Sequence, residues 1–476
     1  MPGVRTTHPD YDCFAPKWKR ARDVIAGQDA MHKSGEAYLP KLKDEEQPDF
    51  DSRIKRSDFF NATWRTMDAL NGMAFRKPPT VNVPAAIEPY LEDVTLSGTT
   101  MESLAKETSE EVLGVGRIGV LVDHPPQPGN VTALTVEAAQ KLGLRPTLQL
   151  YSAESIINWK YARVANAWVL VKVVLREQVM IDKDEFTSEP EDRYRVLDFD
   201  NGTYRQRLFK VENEKDVLLE TIVPLKNGKP LDFIPFAVIG SGGKNDEIDE
   251  PPLIDLIDKN VAHYQINSDY RHGLHFTGLP TPVVSGYTST AANGEKFYIG
   301  STSAWVFPDP HAKATFLEFS GQGLGAIEKA LDRTEQQMAL LGARMIADET
   351  KQAETLGATQ IKRQGENSVL AKIVQSVSEG LEWALTVFAD WAGQAGDVVY
   401  QINRDFMPAT MDGRELLALV SAVQAGALSN REFFDLMQRG DVIDGNKTFE
   451  EHQAEVDSEN PQPVRPAAAG QTGVAA

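Results

Sequence analysis

Two long segments near the middle of this 476-residue chain carry apolar residues at alternating three- and four-residue steps, the spacing of a helix with one buried stripe. In the first, the stripe is Leu324, Ile327, Leu331, Thr334, Met338, Leu341 and Met345. In the second it is Leu370, Val374, Val377, Leu381, Ala384, Phe388 and Trp391. A stripe about 100° wide must be covered by another helix. The opposite faces stay polar and no catalytic motif lies nearby. The pair therefore reads as a helical scaffold packing side by side with copies of itself. Leu324, Ile327, Leu331, Met338, Leu341 and Met345 are the expected subunit-packing residues. Lys351, Gln352, Gln360, Lys362, Arg363 and Gln364 make the loop between the two helices locally basic, and Gly357 and Gly365 give it backbone freedom.

Length predicts roughly three structural units at ~150 residues each. With 41% apolar and 25% charged residues, a sizeable core is within reach. The net charge of -20 argues against tight wrapping of nucleic acid, which requires neutralised phosphates. It suits a surface over which a polyanion slides without settling. Cys13 is the only cysteine, so the chain forms no internal disulfide and no thiolate cluster. With no base nearby, Cys13 is expected to be a small apolar filler. The N-terminal run lacks the apolar core of a signal peptide, and no apolar stretch approaches the ~18 residues of a membrane span. A soluble protein is expected.

Along the chain, residues 1–113 read as helical. Arg53 to Phe75 places Phe60, Trp64, Met67 and Leu70 on one stripe, and Met101 to Leu113 does the same with Met101, Leu104, Thr108 and Val112. Gly114 and Gly116 end that helix. The period then changes to strand runs at Ile118–Val122, Leu148–Tyr151, Trp168–Leu175, Tyr194–Phe199, Tyr204–Val211 and Phe233–Ile239, with a hairpin signal at Asn201-Gly202. Asp249 to Pro252 opens a helix reaching about His275. Short strands and turns fill 278–316, and after the heptad helices a strand near Val398–Ile402 precedes two small helices. Ser429 and Glu432 form a capping box for the last of them. The tail from Asp457 is expected to be disordered.

Other motifs fall short of chemistry. Gly321, Gly323 and Gly325 precede a helix, but Ala326 stands where a dinucleotide fingerprint could place its third glycine, and no second strand with an acid follows. Gly240 to Lys244 fails the phosphate-loop spacing, with Val238 for the leading glycine and Asn245 for the hydroxyl residue. His272 and His275 lie one turn apart, with Asp269 and His263 nearby, but a zinc site needs a third and usually a fourth ligand on the same face. No metal, cofactor or catalytic residue is expected.

The run RSDFFNATWRTMDALNGMAFRKPP (56–79), the run EVLGVGRIGVLVDHP (111–125) and AGALSNREFFDLMQRGDVID (425–444), in order around the paired helices, resemble a tailed-bacteriophage portal (head-to-tail connector) protein. The resemblance implies an α+β, mainly helical fold. Its wing would span 1–250 (helices, then a β-rich part). Stem helix 1 would span 251–277, a clip 278–316 and stem helix 2 317–348. A tunnel loop would occupy 349–366, a long wing helix and strand 367–410, a crown 411–456 and a disordered tail 457–476.

It further implies a virion protein, assembled in the host cytoplasm into a ring, a dodecamer, at one capsid vertex. Double-stranded DNA would pass through the bore in packaging and ejection, touching Lys351, Gln352, Gln360, Lys362, Arg363 and Gln364 in the tunnel loop. The terminase large subunit, a head-tail adaptor and the major capsid or scaffolding protein would be partners, with no membrane involved, and the chain itself would hydrolyse nothing. The alternatives are a nucleotide-binding enzyme built on the Gly321–Gly325 loop, or another virion ring protein such as an adaptor.

Overall fold

The change of period after residue 114 marks a change of architecture. The computed structural model describes residues 3–125, 144–226, 228–243, 247–278, 281–286, 310–317, 321–346, 368–394, 396–406, 419–423, 428–439, 443 and 447–459. Four helices come first: α1 (Pro9–Ala26), α2 (Gln28–Ser34), α3 (Gln47–Arg56) and α4 (Ala62–Ala74). A short strand β1 (Thr80–Asn82) leads to α5 (Met101–Val115), which ends at Gly116 in the left-handed conformation. Strands then dominate: β2 (Arg117–Asp123), β3 (Thr147–Ser152), β4 (Ile156–Val164), β5 (Ala167–Asp182), β6 (Ser188–Asp200), β7 (Thr203–Glu212), β8 (Lys215–Ile222), β9 (Leu225–Lys226), β10 (Lys229–Pro230) and β11 (Phe236–Gly240). Next come α6 (Ile254–Gly278), β12 (Thr281–Ser285), β13 (Lys313–Leu317), α7 (Leu324–Arg344), α8 (Val369–Trp391) and β14 (Val399–Gln401). Helices α9 (Asn430–Arg439) and α10 (Phe449–Glu459) close the order. The class is α+β, as expected.

The chain divides into two units, Met1–Glu354 with Gln364–Arg404, and Thr355–Arg363 with Asp405–Ala476. The core of the first is built on α8. Its N-terminus is capped by Ser368, whose hydroxyl accepts from the Ala371 N–H. All seven residues of its heptad stripe are buried, and so are Ile373, Gly380, Leu385 and Val387 on the flanks. The helix lies against α5 and the antiparallel sheet β11-β2-β3, whose central strand is buried from Arg117 to Val122. Gly380 permits the approach: a Cβ there would sit 2.4 Å from Ile239 Cδ1. Ser376 donates to the Gly240 carbonyl (2.6 Å), while Ser378 and Glu382 accept from the Ile402 and Tyr400 N–H groups. Those last bonds pin β14 to the helix, and β14 pairs with β1 from the other end of the chain. The second stripe is thus spent inside one chain and does not pack against copies, because a three-stranded sheet and α5 already cover it.

The second sheet is a five-stranded antiparallel meander, β4 to β8. Three two-residue turns join its strands, with positive φ at both residues in each: Ala165-Asn166, Asn201-Gly202 and Asn213-Glu214. Such turns match the twist of the flanking strands. Only Asn201-Gly202 carries the glycine that marks the type, so β4 and β8 escape the sequence reading. Between the sheets, Arg117 is fully buried, its guanidinium 4.1 Å over the Trp159 ring, and His8 stacks on that ring at 4.1 Å. Burial lowers the Arg117 pKa to about 10.

Three further expectations need correction. Arg53 to Phe75 is two helices, because Asn61 accepts from the Trp64 N–H and starts a new one. Met67 and Leu70 are buried, whereas Phe60 and Trp64 stay exposed. Cys13 is exposed on α1, so it is no apolar filler. In the second unit, α10 runs to Glu459, past the point where disorder was expected, and Thr448 and Glu451 form a second capping box at its start. Phe434, buried at 5.5 Å from the Phe449 ring, joins it to α9, whose Ser429–Glu432 box is present but caps the helix before the last one.

Replacing Gly380 by Ala should destabilise the protein by about 1–3 kcal/mol through overpacking against Ile239. Gly72, with open space around it in α4, should accept Ala neutrally or with a gain of up to about 1 kcal/mol. Thermal unfolding followed by circular dichroism separates the two; equal shifts would contradict the packing described.

Candidate functional site

The helix pair α6 and α7, with strands β12 and β13 between them, is the candidate functional element. Helix α6 spans 25 residues, roughly 37 Å at 1.5 Å per residue. It has no strong apolar face, and among its buried side chains are Asn260, His263 and Ser268. Burying such groups is costly unless each finds a hydrogen-bond partner. The N-terminal helices supply them for Asn260 and Ser268. Thr63 donates from N and Oγ1 to Asn260 Oδ1 (3.0 and 2.9 Å), and Asn260 Nδ2 donates to the Phe60 carbonyl (2.7 Å). Gln265 donates to the Tyr38 carbonyl, and the Ser268 and Ser57 hydroxyls lie 2.8 Å apart.

The centre of this anchor is a buried ion pair. Arg53 and Glu45 side chains are 2% and 5% exposed. Arg53 Nε and Nη2 donate to the two Glu45 oxygens, each at 2.8 Å, and Nη2 also donates to the Pro40 carbonyl. Its Nη1 reaches Ser268 Oγ at 3.4 Å. The Arg53 hydrogen bonds hold the Glu45 carboxyl below its ordinary range, against burial and with help from the Leu42 N–H. None of these partners carries a sequence signature. The one available signal was the succession of polar residues along α6 without an apolar stripe to balance it.

Helix α7 returns antiparallel along α6. A Cβ at Gly273 would lie 2.7 Å from Leu324 Cδ2, and ten residues back along α6 His263 Nε2 lies 3.3 Å from Glu335 Oε1. Farther along α7, Gly342 sits against Thr66 of α4. Of the expected subunit-packing residues, Leu331, Met338 and Met345 are buried within the single chain, and Leu324, Ile327 and Leu341 are half-buried. The stripe is covered by the chain's own α6 and α4, because β12 and β13 turn the chain back on itself. Within the single chain the cover is complete at Leu331, Met338 and Met345 and partial at Leu324, Ile327 and Leu341. What α7 leaves exposed is a face of alternating sign, with Glu328, Lys329, Asp332, Arg333, Glu335 and Arg344, together with Leu340.

Strands β12 and β13 pair antiparallel from Thr281–Leu317 to Ser285–Lys313, and Val283, Phe316 and Leu317 are exposed on them, close to Leu274 and Phe276 at the end of α6 in the chain. The proposed DNA-contact residues Lys351, Gln352, Gln360, Lys362, Arg363 and Gln364 lie outside the described residues. A cleft of about 450 Å³ between α4 and α7 is lined by Phe60, Arg65, Thr66, Glu335 and Met338. His272 and His275 both face the Phe276 ring (4.7 and 5.7 Å between centroids), and burial together with Arg56 and Arg53 lowers the His272 pKa. Among the described residues, no group of three or more metal-ligating side chains converges, and no helix is long and apolar enough to cross a membrane. Gly321 adopts positive φ beside Thr277, where it closes the return into α7.

Residues 252–392, from the start of α6 to the end of α8, match a family described as a domain of unknown function, DUF4055. No curated protein matches the chain. Among solved structures, it is similar to a chain from the virion of a native gene transfer agent (GTA) particle, at 13% identity and a TM-score of 0.41, with 85% of this chain and 98% of that one covered. A chain from the neck of the native GTA particle, computed with C12 symmetry, aligns at 12% identity and a TM-score of 0.39, over 85% and 98%. One from the neck of the empty GTA particle, computed with C6 symmetry, aligns at 14% and 0.40, over 87% and 98%.

Replacing Arg53 by Met should cost about 3–5 kcal/mol, because Glu45 is left buried without its partner. Removing both charges, as Met at 45 and 53, should cost less. The pair also predicts an acid limb of stability. The folded Glu45 carboxyl has a lowered pKa, so its contribution is complete above the unfolded value of about 4.3 and is lost as pH falls through the folded value. Urea midpoints measured from pH 6 to pH 3 should decline less steeply for Glu45→Gln than for the native chain.

Proposed function

We propose that this chain is a portal subunit: copies form a ring at one capsid vertex, through which double-stranded DNA passes in packaging and ejection. The observation that carries the reading is the antiparallel pair α6–α7. It is anchored at one end in the N-terminal helices by the Asn260, Ser268 and Arg53 contacts and bears the exposed β12–β13 pair at the other. That order of a helical and β-rich outer part, an outgoing helix, a small strand unit, a returning helix and a long buried helix is the one the sequence resemblance implies. A rigidly planted helix pair with a mixed-charge face suits a wall along which a polyanion moves. The exposed apolar strand pair suits docking by the terminase and later by an adaptor. In this reading the chain hydrolyses nothing, and the segment containing Lys351, Lys362 and Arg363 supplies a movable phosphate contact.

Native mass spectrometry at micromolar concentration should show a large closed oligomer; a folded monomer or dimer across salt conditions would overturn the reading. With a charge of -20 on each chain, the ring should bind free duplex DNA weakly and lose that binding steeply with added salt. Nanomolar binding at physiological salt would be the wrong result. Replacing Lys351, Lys362 and Arg363 together by Ala should leave assembly intact and reduce DNA packaging or retention in filled particles. Unchanged packaging and retention would leave that segment as a connection only.

A further inference from the structure

Between the two sheets, Arg117 is a buried cation with no anion beside it. It opens β2, and its backbone has no freedom to withdraw. Gly116 before it stands at positive φ, where a Cβ would lie 3.0 Å from the Glu250 carbonyl oxygen, and Gly240 of β11 pairs with Arg117 itself. The side chain is carried inward and is 1% exposed. Its guanidinium lies over the Trp159 ring, and His8 stacks on the same ring. Nε and Nη1 are both buried, and neither has a hydrogen-bond partner among the described residues.

Other arginines of the first unit are treated differently. Arg53 is bound by both Glu45 oxygens, Arg22 by Glu111 and Glu154, and Arg195 by Glu177 and Gln206. The two carboxylates whose charge is felt at Arg117 are engaged elsewhere. Asp10 Oδ2 lies 3.4 Å from His8 Nδ1, and Asp249 Oδ2 accepts from the Gly242 N–H. Burying an unpaired charge is expensive, and a cation–π contact offsets only part of that cost.

We propose that Arg117 binds a small monovalent anion, chloride in solution, between the two sheets. Guanidinium N–H groups point outward in the plane of the group, so the ion lies at its edge, clear of the face that Trp159 covers. One negative charge matches one positive charge. A dianion such as phosphate would bring a second charge toward Asp10 and Asp249 and leave it buried without a partner. The ion ties β2 to β4 where the N-terminal segment joins them, since the His8 N–H donates to the Ile157 carbonyl of β4 (2.8 Å). The site is independent of the ring reading.

The test compares the full-length native chain with Arg117→Met, which keeps a long side chain and removes the charge. Urea unfolding is followed at constant ionic strength while sodium chloride replaces sodium gluconate, whose anion is too large to be buried there. The folding equilibrium constant of the native chain should rise at least about threefold between chloride-free buffer and about 0.3 M chloride, and that of Arg117→Met should not follow it. Bromide should act as chloride does, and anomalous scattering from bromide-soaked crystals of the native chain should show a peak at the guanidinium edge. An equal chloride response in both chains, or none in the native chain, would overturn the assignment. So would an ordered water at Nε and Nη1 without anomalous signal, a result that requires no variant to fold.

Discussion

Burying a polar helix is costly unless the polar side chains on its hidden face find partners, and at Asn260 and Ser268 of α6 that cost shapes the first unit. Asn260 needs both an acceptor and a donor, and the start of α4 presents them as the Phe60 carbonyl and the Thr63 N–H and hydroxyl. Ser268 needs a partner at the other end of α3, where Ser57 and Arg53 converge. Arg53 in turn is tolerable at 2% exposure only because Glu45 accepts two of its bonds and the Pro40 carbonyl a third. The break between α3 and α4 follows from the same constraint, since a continuous helix would carry Ser57 and Thr63 away from the positions that α6 requires.

With α6 planted, the rest of the pair falls into place. The close approach at Gly273 lets Leu324 seat against α6, and the stripe of α7 closes over it and over Thr66 of α4. The stripe of α8 is absorbed independently by the β11-β2-β3 sheet, with Gly380 against Ile239. The α8 seam is thus consumed in folding one chain, and the α7 seam is consumed at Leu331, Thr334, Met338 and Met345 while Leu324, Ile327 and Leu341 stay half-buried. The surfaces this leaves exposed around the helix pair are of mixed character: the alternating charges of α7 and the β12–β13 pair. Interfaces of that kind respond to salt more than buried apolar seams do.

The legible parts were those with a local cause. Helix α5 and its Gly116 stop, the Asn201-Gly202 hairpin, the capping box at Ser429 and the two heptad helices each depend on residues within one or two turns of each other. The illegible parts lack a local cause. Strands β4 and β8 were hidden because Ala165-Asn166 and Asn213-Glu214 make their turns without glycine, and the sheet imposes the left-handed conformation on them. Cys13 was misplaced because α1 turns that position outward, and helical periodicity at the polar N-terminus was too weak to show it.

By itself the sequence determined that two long helices with apolar stripes exist, where they start and stop, and that a β-rich region separates them from the N-terminal helices. Periodicity and caps act through neighbouring residues, so they are written in the chain. Which surface covers each stripe was decided only by the tertiary structure. An apolar stripe gains the same free energy against any complementary face, and nothing in Leu331 or Phe388 says whether that face belongs to the same chain or to another. The contacts that chose, Asn260 with Thr63 and Arg53 with Glu45 and Ser268, join residues whose pairing exists only once the chain has folded back on itself.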